Sequence, residues 1–153
     1  MLKASVSLTN GVKAVGPYSP AIKIGDFVYF SGQLGISGDT NQLISLDIKA
    51  QTKQVFENIG NILERLDLNF NHIVKTTVFL SDMANFAPMN EVYQTYFKQP
   101  YPARSAFAVK ELPLGALVEI ECIAIDTKAA EAQILESLRD DNTDDPCLTC
   151  DKR

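Results

Sequence analysis

Apolar residues recur along this chain with two different periods, and the changes between them divide it into elements. Strand-like runs predict a β-hairpin in which residues 21–24 and 27–32 flank a Gly25-Asp26 turn. From residue 46 to residue 66, apolar residues recur every three or four positions. That spacing predicts an amphipathic helix of about five turns.

The second half of the chain repeats both patterns. Residues 72–82 read as a strand, and an apolar stripe over residues 89–97 predicts a second helix, ended by two prolines. Two further strands are predicted at 104–109 and 117–125. The order β-β-α-β-α-β-β predicts an α+β sandwich, with two helices packed on one face of a mixed sheet.

The second face of this sheet also carries apolar positions. They are Ile123, Ile125, one of Tyr29 and Phe30, and one of Phe79 and Leu80. A monomer would expose these side chains to water, and large exposed apolar patches usually mark interfaces. We therefore expect an oligomer whose subunits bury the second face.

Two acidic residues in the last strand point toward that second face. Side chains alternate along a strand, so Glu119 and Glu121 lie opposite Val118, Ile120 and Cys122. If the apolar set faces the helices, both carboxylates face the neighbouring subunit. Such a place requires a partner or a chemical role.

Arg104 is the other charged residue in an unusual position, since it follows Pro102-Ala103 and leads into an apolar strand. Its planar guanidinium matches a carboxylate and stays charged at physiological pH. A nearby glutamate can hold or deprotonate a water. Arg104 and a glutamate of the last strand, Glu119 or Glu121, therefore predict a site for a small carboxylic acid, and a structural Arg–Glu salt bridge is the alternative.

Composition narrows the possible functions. The 153 residues suit one domain, and the net charge of −5 argues against a basic face for nucleic acid. No apolar run approaches the ~20 residues of a membrane span, and the N-terminus lacks the apolar segment of a secretory signal. We expect a cytoplasmic protein that binds neither nucleic acid nor membranes.

Three cysteines do not form a disulfide framework. Cys122 is predicted to be a core residue. Cys147 and Cys150 form a C-x-x-C in an acidic stretch, where a zinc site or a thioredoxin-like role is poorly supported and exposed thiols are the simpler interpretation. After residue 126, a short helix is predicted over 129–138, followed by a segment with the composition of disorder.

Six short motifs in a fixed order carry a family resemblance. They are Gly16-Pro17-Tyr18-Ser19-Pro20-Ala21, Phe30-Ser31-Gly32-Gln33, Val74-Lys75-Thr76-Thr77-Val78-Phe79-Leu80, Met89-Asn90-Glu91-Val92-Tyr93, Pro102-Ala103-Arg104-Ser105 and Val118-Glu119-Ile120-Glu121. The chain resembles the reactive intermediate deaminase A family (RidA, or YjgF-like) from about residue 8 to residue 126. We therefore divide it into a RidA-like domain, 1–126, and an acidic C-terminal extension, 127–153.

The resemblance implies a chorismate-mutase-like fold and a homotrimer with active sites in clefts between subunits. It implies a 2-iminobutanoate/2-iminopropanoate deaminase. Such an enzyme hydrolyses imines or enamines, released by pyridoxal-phosphate enzymes, to 2-oxo acids and ammonia. No cofactor or metal is expected.

The resemblance also assigns roles to residues. Arg104 would clamp the substrate carboxylate, and Glu119 would position the attacking water and act on it as a general base. The remaining pocket residues would be Tyr18, Ser31, Gly32, through its backbone, and Asn90. Many deaminases of this branch carry a cysteine two positions after the arginine, and this chain has Ala106 there.

Each pocket residue also has a structural alternative. Tyr18 could pack over the hairpin, Ser31 and Gly32 could form a turn, and Asn90 could cap a helix. Two alternatives remain for the function of the whole chain. One is a trimer that binds small carboxylates such as 2-oxo acids without turnover, and the weaker one is a ribonuclease or translation inhibitor.

Overall fold

The computed structural model describes residues 3–6, 12 and 16–140, and the side chains among these up to residue 136. The strands are β1 (Ala4–Val6), β2 (Ala21–Ile24), β3 (Phe27–Leu34), β4 (Ile73–Leu80), β5 (Ala103–Ala108) and β6 (Val118–Ile125). The α-helices are α1 (Ile48–Arg65), α2 (Phe86–Tyr93) and α3 (Lys128–Asp140). Among the described residues, no helix has both the length and the apolarity to cross a bilayer.

The described strands form a single mixed sheet in the order β1-β2-β3-β6-β4-β5. β4 and β5 are parallel, and all other neighbours are antiparallel. The predicted α+β class, with its hairpin, its two central helices and its mixed sheet, is confirmed. β1 is an additional edge strand that the sequence did not predict.

Both central helices lie on one face of the sheet, as expected. Asp47 caps the N-terminus of α1, and its carboxylate accepts a hydrogen bond from the Ala50 amide at 2.8 Å. Its apolar stripe packs on β3 and β6, and α2 packs on α1. Phe56, which is fully buried in α1, contacts the rings of Tyr93, Tyr96 and Phe97.

The second helix is shorter than the sequence predicted. α2 ends at Tyr93, although Phe97 still packs in the core at 6% exposure. The Thr95 amide and hydroxyl both donate to the Val92 carbonyl, at 3.0 and 2.7 Å, and the Tyr96 amide donates to the Tyr93 carbonyl at 3.1 Å. These three-residue hydrogen bonds tighten the chain into a turn while keeping the apolar spacing.

The two faces of β6 differ as the alternation predicted. Val118, Ile120, Cys122 and Ala124 are buried beneath the helices, and the intervening residues are less buried. The predicted core position of Cys122 is confirmed. The opposite face, which we call the open face, presents Phe27, Tyr29, Phe79 and Phe107 beside Ile123 and Ile125.

α3 confirms the helix predicted after the last strand and extends it at both ends. Lys128 attaches its first turn to the end of α1 by donating to the Leu66 carbonyl at 3.0 Å. Cys147, Cys150 and nearly all of the segment predicted to be disordered lie outside the described residues. The division of the chain at residue 126 stays a prediction.

Candidate active site

A β-bulge in β3 places Glu119 against the backbone of Gly32. Phe30 pairs with Cys122 and Gln33 pairs with Ile120, so Ser31 and Gly32 together face a single residue of β6. A Cβ atom at Gly32 would lie 1.8 Å from Oε1 of Glu119. The bulge therefore leaves space for this carboxylate only because residue 32 has no side chain.

Glu119 and the bulge line a cleft of about 540 Å³, which we call the Glu119 cleft. Tyr18, Ser31 and Gly32 also line it, so four of the predicted site residues meet there. The Ser31 hydroxyl donates to the Ser19 carbonyl at 2.7 Å, and the Ser31 amide donates to the Pro20 carbonyl at 3.0 Å. Ser31 thereby fixes the segment that carries Tyr18, while still forming part of the cleft wall.

The environment of Glu119 favours its protonated form more than water would. Burial raises the pKa of the Glu119 carboxyl, and the negative charge of Glu121 raises it further. A carboxylate with a raised pKa is a stronger base toward a bound water. The surroundings of Glu119 thus suit a general base.

Arg104 lies in a different cleft, of about 610 Å³, together with Asn90, Tyr93, Tyr101 and Pro102. We call this the Arg104 cleft. Nη1 of Arg104 donates to Oδ1 of Asn90 at 2.6 Å. The guanidinium carbon lies 4.5 Å from the ring centroid of Tyr93 and 5.6 Å from that of Phe86. Three residues of α2 thus hold the cation.

A hydrogen bond to the sheet fixes the position of Tyr93. Its hydroxyl shares a 2.8 Å hydrogen bond with the buried hydroxyl of Thr76 on β4. Burial raises the pKa of the Tyr93 hydroxyl, although the bond to Thr76 and the charge of Arg104 act in the opposite direction. The ring beneath Arg104 is therefore neutral and anchored to the sheet.

The two clefts lie on opposite faces of the sheet. Arg104 pairs with buried Thr76 and contacts α2, so its side chain lies on the helix face. Glu119 pairs with Phe79 and Leu34 and lies on the open face. Two strand spacings and three residues of β4 separate them, about 10 Å in each direction. One chain therefore does not bring the two residues together.

The structure also tests the structural alternatives given for the predicted site residues. No carboxylate of the described residues forms an ion pair with Arg104, so a salt bridge to Glu119 within the chain is excluded. Asn90 lies inside α2 and bonds Arg104, so its predicted alternative role as a helix cap is wrong. Tyr18 is half exposed, and its ring lies beside Gly16.

Several residues that line the two clefts were not predicted as site residues, and three of them are informative. Tyr93 was assigned to the core alone, although its spacing from Asn90 places both on one side of α2. Gln33 is buried at the bulge, where Nε2 of its side chain donates to the Ser31 carbonyl at 3.0 Å. Leu114 lines the Glu119 cleft from a turn that sequence patterns do not resolve.

Comparison with known proteins identifies the family. The family model described as Endoribonuclease L-PSP matches residues 8–126. A mouse (Mus musculus) protein named 2-iminobutanoate/2-iminopropanoate deaminase is 42% identical over 125 residues, covering 82% of this chain and 93% of that protein. Reactive Intermediate Deaminase A, chloroplastic, of Arabidopsis thaliana is 45% identical over 122 residues, covering 80% and 65%.

Solved structures agree with the sequence relatives. RidA from an Antarctic Psychrobacter is 44% identical, with a TM-score of 0.76, and the match covers 80% of this chain and 98% of that one. E. coli TdcF with bound serine is 33% identical, with a TM-score of 0.75 and the same coverage. From its motifs, its fold and these relatives, the chain belongs to the RidA/YjgF family, whose model is described as Endoribonuclease L-PSP.

Proposed function

We propose that this protein hydrolyses 2-imino acids, such as 2-iminobutanoate and 2-iminopropanoate, to 2-oxo acids and ammonia. The observation that carries the proposal is the Glu119 carboxylate, which has a raised pKa and lies against the Gly32 backbone in a cleft. Relatives 37–45% identical to this chain carry the name of this deaminase or of RidA. These features support a role for Glu119 as the base in the attack of water on a C=N bond.

Two groups of this chain would carry the main steps of the reaction. Arg104 binds the substrate carboxylate through its guanidinium fork. Glu119 takes a proton from water while the oxygen adds to the imine carbon, and the proton is delivered to nitrogen. The resulting carbinolamine expels ammonia as its hydroxyl becomes the carbonyl of the 2-oxo acid. Imines are inherently reactive, so orientation of the water and the substrate supplies much of the acceleration.

We further propose that the active site forms between two copies of the chain in a homotrimer. Arg104 and Glu119 lie on opposite faces of one sheet, so a complete site needs Arg104 from one copy and Glu119 from another. The open face supports this assembly. Phe27, Tyr29 and Phe107 are each nearly half exposed there, and a neighbouring subunit would bury them.

A coupled assay tests the deaminase proposal. An amino-acid oxidase or threonine dehydratase generates the imine, and semicarbazide traps whatever imine the protein leaves unhydrolysed. We expect the wild-type protein to suppress semicarbazone formation and Arg104→Ala to lose this effect. If the wild-type protein has no effect in this assay, the proposal is contradicted.

Glu119→Gln separates the enzyme from a protein that only binds small carboxylates. The amide keeps the shape of the side chain but cannot accept the proton of water. We expect this variant to bind 2-oxobutanoate, as measured by calorimetry, and to lose hydrolysis. Unchanged hydrolysis in the variant would contradict the role of Glu119. Binding without hydrolysis in the wild-type protein would favour the non-catalytic alternative.

A further inference from the structure

The turn before β6 places a leucine in a conformation that favours glycine. Leu112, Pro113, Leu114 and Gly115 form this turn, and the Gly115 amide donates to the Leu112 carbonyl at 3.2 Å. Leu114 occupies the third position with φ of 59° and ψ of 14°. Glycine or asparagine is usual at such a position, and a left-handed conformation costs a side-chain-bearing residue about 1–2 kcal/mol.

Exposure adds a second unfavourable feature. Leu114 is 66% exposed, so its side chain contributes little to the core. A single exposed leucine is ordinary. Within one chain, a strained leucine that also gains no burial has no stabilising reason for its place. Strain of this kind is concentrated at functional sites, so an observed outlier justifies a functional hypothesis.

The position of Leu114 supplies that hypothesis. Its side chain lines the Glu119 cleft, five residues before Glu119 itself. The turn is held firmly against the body of the domain. Ala116 is 1% exposed, and the Leu117 amide donates at 2.8 Å to Oε1 of Gln51, a side chain buried in α1. Leu114 is therefore fixed in place relative to the proposed base.

The cleft is larger and more apolar than the smallest imino acids need. Leu34, Ile36, Pro113 and Leu114 form an apolar part of its wall. In one chain its volume of about 540 Å³ falls within the range of pockets that hold drug-sized ligands, far larger than a three- or four-carbon acid. An aliphatic substrate side chain would fill this space and displace water from it.

We propose that Leu114 determines substrate preference by forming the apolar wall that receives the side chain of the imino acid. This inference rests on the proposed deaminase function. It names the preferred substrate class as 2-imino acids with aliphatic side chains longer than ethyl. An example is 4-methyl-2-iminopentanoate, the imine formed by oxidation of leucine.

Leu114→Asn and Leu114→Gly test the proposal without threatening the fold, because both residues accept the left-handed conformation. D-amino-acid oxidase acting on D-leucine or D-alanine supplies a branched and a small imine. We expect wild-type kcat/KM to favour the leucine-derived imine. Each variant should reduce that preference about 10-fold, with an unchanged or higher Tm.

Leu46→Asn is the matched control, since Leu46 is 85% exposed and lies outside the cleft. It should leave the preference unchanged. An equal preference in the wild-type protein and both Leu114 variants would overturn the proposal. So would a preference that changes as much in Leu46→Asn as in Leu114→Asn.

A binding measurement keeps this result separate from the fate of the deaminase proposal. If the wild-type protein hydrolyses neither imine, calorimetry with 4-methyl-2-oxopentanoate and pyruvate replaces the kinetic comparison. Selective weakening of the branched acid in Leu114→Asn would still support the apolar wall. Equal weakening of both acids, or no preference in the wild-type protein, would contradict it.

Discussion

Arg104 and Glu119 point to opposite faces of the sheet, with β4 lying between the strands that carry them. Each has its own set of supporting contacts. Arg104 is held by α2, and Glu119 lies over the bulge in β3. Each cleft of one chain therefore holds one of the two groups that the proposed reaction needs.

Gly32→Ala should abolish hydrolysis while the fold remains intact. The new methyl group would occupy the place of Oε1 of Glu119, and the flexible end of that side chain can move aside. Displacing a general base reduces the rate by about 10² or more. Steady-state kinetics and circular dichroism measure the two effects.

Gly25→Ala is the matched control for this change. Gly25 has a φ of 57° and open space around its Cβ position, so alanine there strains the hairpin turn without touching the site. We expect it to lower the free energy of unfolding by about 1 kcal/mol and to leave kcat unchanged. Full activity in Gly32→Ala would contradict the position of Glu119.

Asn90→Ala should weaken substrate binding more than it slows the chemical step. The change removes the acceptor that orients the Arg104 guanidinium, and a hydrogen bond to a charged group contributes about 1.5 kcal/mol. KM should rise about 10-fold, with kcat nearly unchanged. Asn85→Ala, in the same part of the chain but without a described contact to Arg104, should leave both constants alone. A fall in kcat with constant KM would refute this role.

Glu121→Gln should shift the pH dependence of hydrolysis. The Glu119 carboxylate acts as a base only when ionised, so kcat/KM rises as the pH increases through the pKa of Glu119. Removing the negative charge of Glu121 lowers that pKa, because this charge helps to raise it. The acid limb of the pH–rate profile should therefore move to lower pH. Glu64→Gln, on the exposed side of α1, should not move it.

Asp126→Asn should destabilise the protein at neutral pH and not in acid. Lys23 donates to the Asp126 carboxylate at 2.5 Å and lowers its pKa. The stabilisation is fully present above the ordinary aspartate pKa of about 3.9, and it is lost as the pH falls through the lowered value. We expect the free energy of unfolding at pH 7 to fall by about 1–2 kcal/mol, as measured by denaturant unfolding at fixed protein concentration.

The control for this prediction is Asp39→Asn, which changes an exposed aspartate in a loop. This variant should change the free energy of unfolding at pH 7 by no more than about 0.5 kcal/mol. A destabilisation by Asp126→Asn that persists unchanged at pH 3 would show that the ion pair to Lys23 is not its cause.

The sequence predicted the elements with long, regular apolar patterns. In α1 and β6 the buried apolar residues recur at regular intervals, so the hydrophobic period alone predicts both elements. β1 has three residues, too few to display any period, and depends on pairing with β2. The end of α2 was missed because a tight turn keeps Phe97 in the apolar stripe after the helix has ended.

The candidate site was predicted by residue type but not by arrangement. The alternation in β6 gave the direction of Glu119 correctly. Residues 103–108 of β5 mix small, polar and aromatic side chains, so no alternation indicated which face Arg104 occupies. The left-handed conformation of Leu114 was also hidden, because the adjacent Gly115 is the residue that a sequence reading would assign to it.

Mixed oligomers of Arg104→Ala and Glu119→Gln test the central claim most directly. Each variant alone lacks one half of every site and should be inactive. The two chains are co-expressed with different tags and purified through both. In the proposed trimer, one of the three interfaces of each mixed oligomer would join an intact Glu119 to an intact Arg104. We predict recovery of about one third of wild-type activity. If mixed oligomers containing both chains remain inactive, the site is not shared between copies, and the account is contradicted.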